Sequence, residues 1–130
     1  MGGAFSFGLG LRKQSGEALF QEELTGALVG AGYLVQNAYD GEAGLQSVHK
    51  EAPDLVILDL ILPKKDGFKV LREMKWREEM KRIPVIVLSN LQNSDNIEIA
   101  IRLGVTDYLV KSNYTAVQIV QKIRSVLGEN

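Results

Sequence analysis

The chain has no cysteine and only one histidine among its 130 residues. Without cysteine it can form neither a disulfide nor a thiolate metal site, which fits a reducing compartment, and we expect a cytoplasmic protein. The lone His49 cannot make a histidine metal site by itself. No apolar run approaches the roughly 20 residues that span a bilayer, so we expect no membrane partner. The formal net charge of −1 gives no general attraction to nucleic acid, and we expect no direct binding to it.

The length and composition suit one globular domain. The N-terminus is rich in glycine, and its apolar stretch precedes the basic pair Arg12 and Lys13, which is the reverse of the order in a signal peptide. The pattern becomes regular near residue 17. We therefore predict an atypical segment at 1–16, with a degraded or shifted first strand, and one domain at 17–128 without a separate output domain.

Helical and strand patterns alternate from residue 17 onward. The predicted helices lie at 17–31, 40–51, 67–80, 95–103 and from Thr115, and the predicted strands lie at 33–38, 54–59, 83–89 and 106–111. Three of these strands are continuous apolar runs, which is typical of parallel strands covered on both faces. The alternation predicts an α/β fold in which helices cover both faces of a doubly wound parallel sheet.

Three consecutive predicted strands end in polar residues, namely Asp59, Ser89 and Lys111. Parallel strands bring these ends to one edge of the sheet, where such folds bind ligands. A carboxylate can attack phosphorus, while an ammonium and a hydroxyl can hold the phosphoryl oxygens. Taken singly, each residue is more often a turn former, a loop residue or a solvated lysine. Their joint occurrence favours a site for phosphoryl transfer.

The chain from about 18 to 127 resembles a response-regulator receiver domain of two-component signalling. The stretch DLVILDLILPKKDG is similar to the phosphoacceptor motif of that family, with Asp59 as the acceptor and with Pro63, Asp66 and Gly67 after it. The resemblance implies a flavodoxin-like fold with five parallel strands in the order 2-1-3-4-5.

The strands IPVIVLSN and DYLVK are similar to the family's next two strands. The resemblance implies that Ser89 supplies the family's hydroxyl, that Lys111 supplies its lysine, and that Tyr108 is its switch aromatic. Asp59 would take a phosphoryl group from a sensor histidine kinase, from a phosphotransfer protein or from acetyl phosphate. Lys111 would pair with Asp59 at rest and with a phosphoryl oxygen afterwards.

The family also implies how the signal leaves the site. Ser89 would move toward the phosphoryl group, and Tyr108 would turn inward behind it. This change would reach a downstream effector protein through the surface formed by the fourth helix, the fifth strand and the fifth helix. We expect no enzyme activity beyond self-catalysed phosphorylation and dephosphorylation.

Receiver domains of this family bind Mg²⁺, and this part of the resemblance is incomplete. The implied ligands are the Asp59 carboxylate, the backbone carbonyl of Ile61 and an acidic pair after the first strand. Alignment puts that pair at about Ser15 and Gly16, neither of which has a carboxylate. The adjacent Glu17 is the remaining candidate ligand, although an acid in a first helical turn also favours the helix dipole.

The first strand has two possible placements. A strand at 9–14 (LGLRKQ) would put Arg12 and Lys13 in the sheet interior, where charges without partners are unfavourable. A strand shifted into 4–11 (AFSFGLGL) would leave a longer loop after it. This loop would carry both cations toward the sheet edge that holds Asp59, where they could partly replace a metal. A third interpretation is that 1–16 is not the native start of the domain.

Two other functions remain open. A pseudo-receiver would keep the fold as a protein-interaction module without phosphorylation, because the acidic pair is missing. A flavodoxin-like ligand binder is a third class, but Gly8-Leu9-Gly10 lacks the remaining features of a phosphate-binding loop. Ser112 stands where most family members have proline. Trp76 lies among mixed charges late in the third helix, and we expect it to be partly exposed.

Overall fold

The structure is a computed structural model that describes the backbone of five segments and the side chains from residue 22 onward within them. The described segments are 3–7, 15–38, 40–60, 66–90 and 93–128. The strands are β1 (Gly3–Phe7), β2 (Leu34–Ala38), β3 (Leu55–Leu58), β4 (Val85–Ser89) and β5 (Asp107–Val110). The helices are α1 (Ser15–Gly30), α2 (Gly41–Glu51), α3 (Gly67–Trp76), α4 (Ser94–Arg102) and α5 (Ala116–Val126), and a short 3-10 helix covers Lys111–Asn113.

The five strands form one parallel sheet in the order β2-β1-β3-β4-β5, as the resemblance implied. Every residue of β3 and β4 is buried, because helices cover both faces of the sheet. On one face, Val56 and Leu58 pack with residues of α2, α3 and α4. On the other face, Leu55 and Ile57 pack with residues of α1 and α5. The doubly wound α/β prediction is confirmed.

The starts of α2 and α5 are set by local hydrogen bonds that could be predicted from the sequence. The Asp40 side chain accepts a hydrogen bond from the Ala43 N–H at 2.9 Å and caps α2. Thr115 and Gln118 form the reciprocal capping box that begins α5. The predicted starts of α2 and α5 are therefore confirmed. Only a short connection separates the end of β5 from the start of α5.

The first strand lies at the earlier of its two predicted placements. Residues 3–7 pair with β2 on one side and with β3 on the other, so this segment occupies the central position that a strand at 9–14 would have filled. The sheet therefore includes residues that precede 17. Arg12 and Lys13 lie outside the described residues. The third helix also ends earlier than predicted, at Trp76 and not at residue 80.

Candidate functional site

Asp59 and Lys111 form a buried ion pair at the carboxyl edge of the sheet. Asp59 follows the last residue of β3, and Lys111 follows β5 as the first residue of the 3-10 helix. The Lys111 Nζ donates a hydrogen bond to Asp59 Oδ2 at 2.9 Å. The two residues are only 6% and 7% exposed. Each charge therefore has an opposite charge close by, as buried charges require.

Ser89 and Tyr108 lie beside this pair. Ser89 ends β4 and is completely buried, and Tyr108 lies on the adjacent strand β5. Their side chains share a hydrogen bond, which lowers the pKa of Tyr108. Burial and the nearby negative charge of Asp59 act more strongly in the other direction, so the pKa of Tyr108 is raised overall. One electrostatic cluster, called the acidic-edge cluster below, thus consists of Asp59, Ser89, Tyr108 and Lys111.

Tyr108 is half-buried and packs against the core on the side of the sheet that α2 and α3 cover. Its ring is therefore anchored in apolar packing, while its hydroxyl reaches the polar edge at Ser89. A tyrosine with an apolar body and a polar tip is suited to such a boundary. The resemblance implied that this ring turns inward after phosphorylation, while the residues alone favoured a static, partly buried strand aromatic, and the structure has the ring half-buried.

Gly67 fixes the start of α3 against the residues that follow β3. Its N–H donates to the Leu60 carbonyl at 3.0 Å, and the Asp66 side chain accepts from the Phe68 N–H at 2.7 Å. A Cβ on Gly67 would lie 2.4 Å from the Leu60 Cα and 2.6 Å from the Asp59 carbonyl oxygen. Only glycine allows this approach of two backbones. The sequence flagged Gly67 as part of a motif, but it gave no sign of this contact.

The predicted Mg²⁺ ligands are only partly described. Ile61 lies outside the described residues, and Glu17 lies in α1 with its side chain outside them. Ser15 and Gly16 are the first residues of α1. Residues 1–16 contain no Asp or Glu, so the acidic pair is missing whichever way the first strand is aligned.

Mg²⁺ prefers oxygen ligands in nearly octahedral geometry and is usually held by one or two carboxylates together with water. Within the described part of the chain, no three His, Cys, Asp or Glu side chains come together as a metal site. Asp59 lies at the edge of the sheet, but one of its oxygens already accepts from Lys111. Of the candidate Mg²⁺ ligands, only Asp59 has a described side chain, and the steps proposed below do not depend on a metal.

The backbone after Lys111 is regular. No cis peptide bond occurs among the described residues, so the Lys111–Ser112 bond is trans. This agrees with the expectation for a non-proline residue at position 112, since the cis form of such bonds is strongly disfavoured.

The family model of the response regulator receiver domain matches residues 16–124. The chain belongs to this family. Receiver domains are signalling modules of two-component systems, and the predicted resemblance to this family is confirmed. In the described part of the chain, no helix has the length and apolar character needed to cross a membrane.

Curated relatives are longer than this chain. "Probable transcriptional regulator ycf27" from Guillardia theta is 36% identical over 111 residues, which cover 85% of this chain and 42% of that relative. The "Probable C4-dicarboxylate response regulator DctR" of Bacillus subtilis is 40% identical over 74 residues, which cover 57% of this chain and 32% of that protein. The chain thus spans less than half the length of these relatives.

Solved receiver structures have the same fold. The Mn²⁺-bound form of response regulator Rcp1 is 28% identical, with a TM-score of 0.78, and the match covers 96% of this chain and 93% of that one. The Mg²⁺-containing receiver domain of the sensor histidine kinase PA1611 from Pseudomonas aeruginosa is 22% identical, with a TM-score of 0.81 and coverage of 99% and 100%. The second likeness bears on the fold alone.

Proposed function

We propose that this receiver domain accepts a phosphoryl group on Asp59. The observation that carries the proposal is the acidic-edge cluster, in which a buried carboxylate lies 2.9 Å from a lysine ammonium and beside a hydrogen-bonded serine and tyrosine. These groups match the needs of phosphoryl transfer, which depends mainly on positioning and on charge stabilisation.

The proposed step begins with attack of an Asp59 carboxylate oxygen on the phosphorus of a phosphohistidine. A new P–O bond forms while the P–N bond breaks, and the imidazole nitrogen keeps the electron pair of the broken bond. The Lys111 ammonium then pairs with a phosphoryl oxygen, since the product carries more negative charge than the original carboxylate. With acetyl phosphate as donor, acetate is the leaving group.

Ser89 and Tyr108 would report the change to the surface. The Ser89 hydroxyl can donate to a phosphoryl oxygen, but it now shares a hydrogen bond with Tyr108. A new bond from Ser89 would therefore alter the hydrogen bonding of the Tyr108 hydroxyl. Because Tyr108 lies on β5, this change in hydrogen bonding would alter the surface formed by α4, β5 and α5.

The proposed partners follow from the family. A sensor histidine kinase or a phosphotransfer protein would supply the phosphoryl group, and a downstream effector would bind the α4-β5-α5 surface. Ile99 and Ile101 are exposed apolar side chains on α4, which supports protein contact there. We propose Mg²⁺ as the metal of the family site, with Glu17 and the Ile61 carbonyl as candidate ligands besides Asp59.

A pseudo-receiver is the second candidate function, and one observation favours it. The segment before Glu17 contains no carboxylate at all, so the family's acidic pair cannot come from it. In this alternative the same fold binds a partner protein without phosphorylation. The two candidates differ in whether Asp59 ever carries a covalent phosphoryl group.

Intact-mass measurement after incubation with acetyl phosphate and Mg²⁺ distinguishes the two candidates. We expect one phosphoryl adduct in the wild-type protein, no adduct in Asp59→Asn and an undiminished adduct in Asp54→Asn. Asp54 is a matched control because it is an exposed aspartate that directly precedes β3, whereas Asp59 directly follows it. A folded wild-type protein without an adduct at any Mg²⁺ concentration would favour the pseudo-receiver.

A further inference from the structure

Trp76 is the most exposed large hydrophobic side chain among those described, with 86% of its surface accessible. It is also the only tryptophan in the chain. The sequence predicted partial exposure, but the side chain lies almost wholly in solvent at the end of α3. Tryptophan is enriched at the centres of protein interfaces because a large apolar area is gained when it is covered.

Lys69, Arg72 and Trp76 form a single stripe along α3. Their spacing of three and then four residues places them on one face of the helix, and all three are exposed. The opposite face carries Val70 and Leu71, which are buried in the core. The set Lys69, Arg72 and Trp76 is called the α3 patch below. It combines two cations with one aromatic ring on a rigid element.

The patch lies in the most basic part of the chain. Residues 64–82 hold eight of the 15 Lys and Arg residues but only four of the 16 Asp and Glu residues. This segment therefore has a net charge of +4, while the remainder of the chain has a net charge of −5. Such an asymmetry attracts a partner of opposite charge and is hidden by the overall value of −1.

The acids near the patch are already engaged. Glu73 pairs with Arg77 at 3.5 Å, Glu78 pairs with Lys81 at 2.9 Å, and Glu79 contacts His49 at 3.1 Å. By contrast, the contacts between described residues include no ion pair or hydrogen bond of the side chains of Lys69 or Arg72. Their positive charges are therefore available to a partner.

The α3 patch is separate from the acidic-edge cluster. Helix α3 begins at Gly67, against Asp59 and Leu60, and then runs back along the sheet to Trp76. Ten helical residues span about 15 Å at 1.5 Å per residue. The indole therefore lies toward the end of the domain away from Asp59, and a molecule bound to it need not cover the acceptor.

We propose that the α3 patch is a docking surface for an acidic protein segment that also presents an apolar side chain. The carboxylates would pair with Lys69 and Arg72, and the apolar group would cover the indole of Trp76. Acids and bases alternate around the patch, and a protein partner can meet such mixed charges with its own, whereas a nucleic acid presents phosphates alone. This role goes beyond phosphorylation of Asp59 and does not depend on it.

Trp76 provides a direct test because its fluorescence reports on the patch alone. The probe is a short synthetic peptide of glutamates with leucines one helical turn apart, titrated into the full chain. We expect a shift in Trp76 emission and binding that weakens as salt is raised. The double variant Lys69→Glu/Arg72→Glu should weaken binding at least about tenfold.

The matched control is Lys50→Glu/Arg124→Glu, which makes the same charge change on α2 and α5, outside the patch. It should bind the peptide like the wild-type protein, and circular dichroism should show both variants folded. Equal weakening in the control would overturn the proposal, because binding would then follow total charge and not the patch.

Four further outcomes also overturn the proposal. Equal affinity for the peptide with glutamine in place of glutamate would make the surface merely apolar. Tighter binding of oligothymidylate would identify a nucleic-acid surface. A change in Trp76 emission with protein concentration alone, matched by dimers in sedimentation, would identify a second copy as the occupant. The absence of any peptide binding contradicts the proposal as well.

Discussion

The Lys111 ammonium lies 2.9 Å from the Asp59 carboxylate in a place where each side chain is less than one-tenth exposed. Burial removes the water that would otherwise stabilise each charge, so each depends on the other. The pair therefore links the ends of β3 and β5 across β4. The stability of the fold consequently depends on Asp59 and Lys111, the same residues that are proposed for phosphoryl transfer.

Removing one charge of this pair should destabilise the fold more than removing both. We expect Lys111→Met to lower the free energy of unfolding by about 3–5 kcal/mol, because it leaves the Asp59 carboxylate buried without its cation. In the double variant Asp59→Asn/Lys111→Met the loss should be smaller than in Lys111→Met alone, and therefore also smaller than the sum of the two single losses. Urea denaturation of the four proteins measures this coupling. Strict additivity would contradict a direct interaction.

Tyr108 should titrate above the usual tyrosine range, and its neighbours should move its pKa in opposite directions. Asp59→Asn should lower the pKa of Tyr108, because it removes a nearby negative charge that disfavours the phenolate. Ser89→Ala should raise it, because it removes a hydrogen bond that lowers it. Ultraviolet difference titration follows the phenolate, and Tyr108→Phe identifies its signal among the four tyrosines.

The same shift gives a pH dependence of stability. Because the pKa of Tyr108 is raised in the folded protein, the unfolded chain releases this proton first as the pH rises above about 10. The stabilisation is complete below that pH and is lost as the pH passes through the folded-state pKa. Tyr108→Phe should make the decline in this range shallower, while Asp95→Asn, an exposed charge on α4, should not.

Gly67→Ala should destabilise the protein because a Cβ would overlap the backbone of Leu60. Backbone cannot yield as a flexible side chain can, so we expect a loss of about 3 kcal/mol in urea denaturation. Gly26→Ala is the matched control, since Gly26 lies in α1 with no atom within 4 Å of its added Cβ. That change should stabilise the protein by about 0.5–1 kcal/mol. Equal effects at the two sites would rule out the close contact.

Restoring carboxylates to the start of α1 should test the metal question. If the missing acidic pair limits Mg²⁺ binding, Ser15→Asp/Gly16→Asp should strengthen it, because carboxylates are the ligands that Mg²⁺ prefers. Glu17→Gln should weaken it if Glu17 reaches the metal. Isothermal titration with Mg²⁺ measures both, with Glu42→Gln on α2 as a control for charge. If all these variants bind Mg²⁺ with the same affinity, the start of α1 does not contribute to the metal site.

The sequence predicted the arrangement of the site because a few local rules determined it. Continuous apolar strands require cover on both faces, and parallel strands bring their carboxyl ends together. These rules were enough to place Asp59, Ser89 and Lys111 on one edge, and the structure brings them together with Tyr108. The helix caps at Asp40 and Thr115 were visible for the same reason, since capping depends on residues only a few positions apart.

Other features depend on contacts that a linear pattern does not contain. The central strand at 3–7 is held by β2 and β3, and its glycine and serine give it a weak strand pattern of its own. The contact of Gly67 with Leu60 requires two backbones to meet across a loop. The sequence predicted only partial exposure of Trp76, because its charged neighbours favour solvent while its own hydrophobicity favours burial, and the structure leaves it almost fully exposed.

The partners in the buried ion pair are 52 positions apart in the chain. A ribosome therefore releases Asp59 long before it releases the lysine that compensates its charge. Until β5 docks beside β4, the carboxylate lies at the end of a strand without its cation, and water must remain near it. The buried ion pair is thus a property of the finished domain, and a chain cut short before position 111 leaves the Asp59 carboxylate without the Lys111 ammonium.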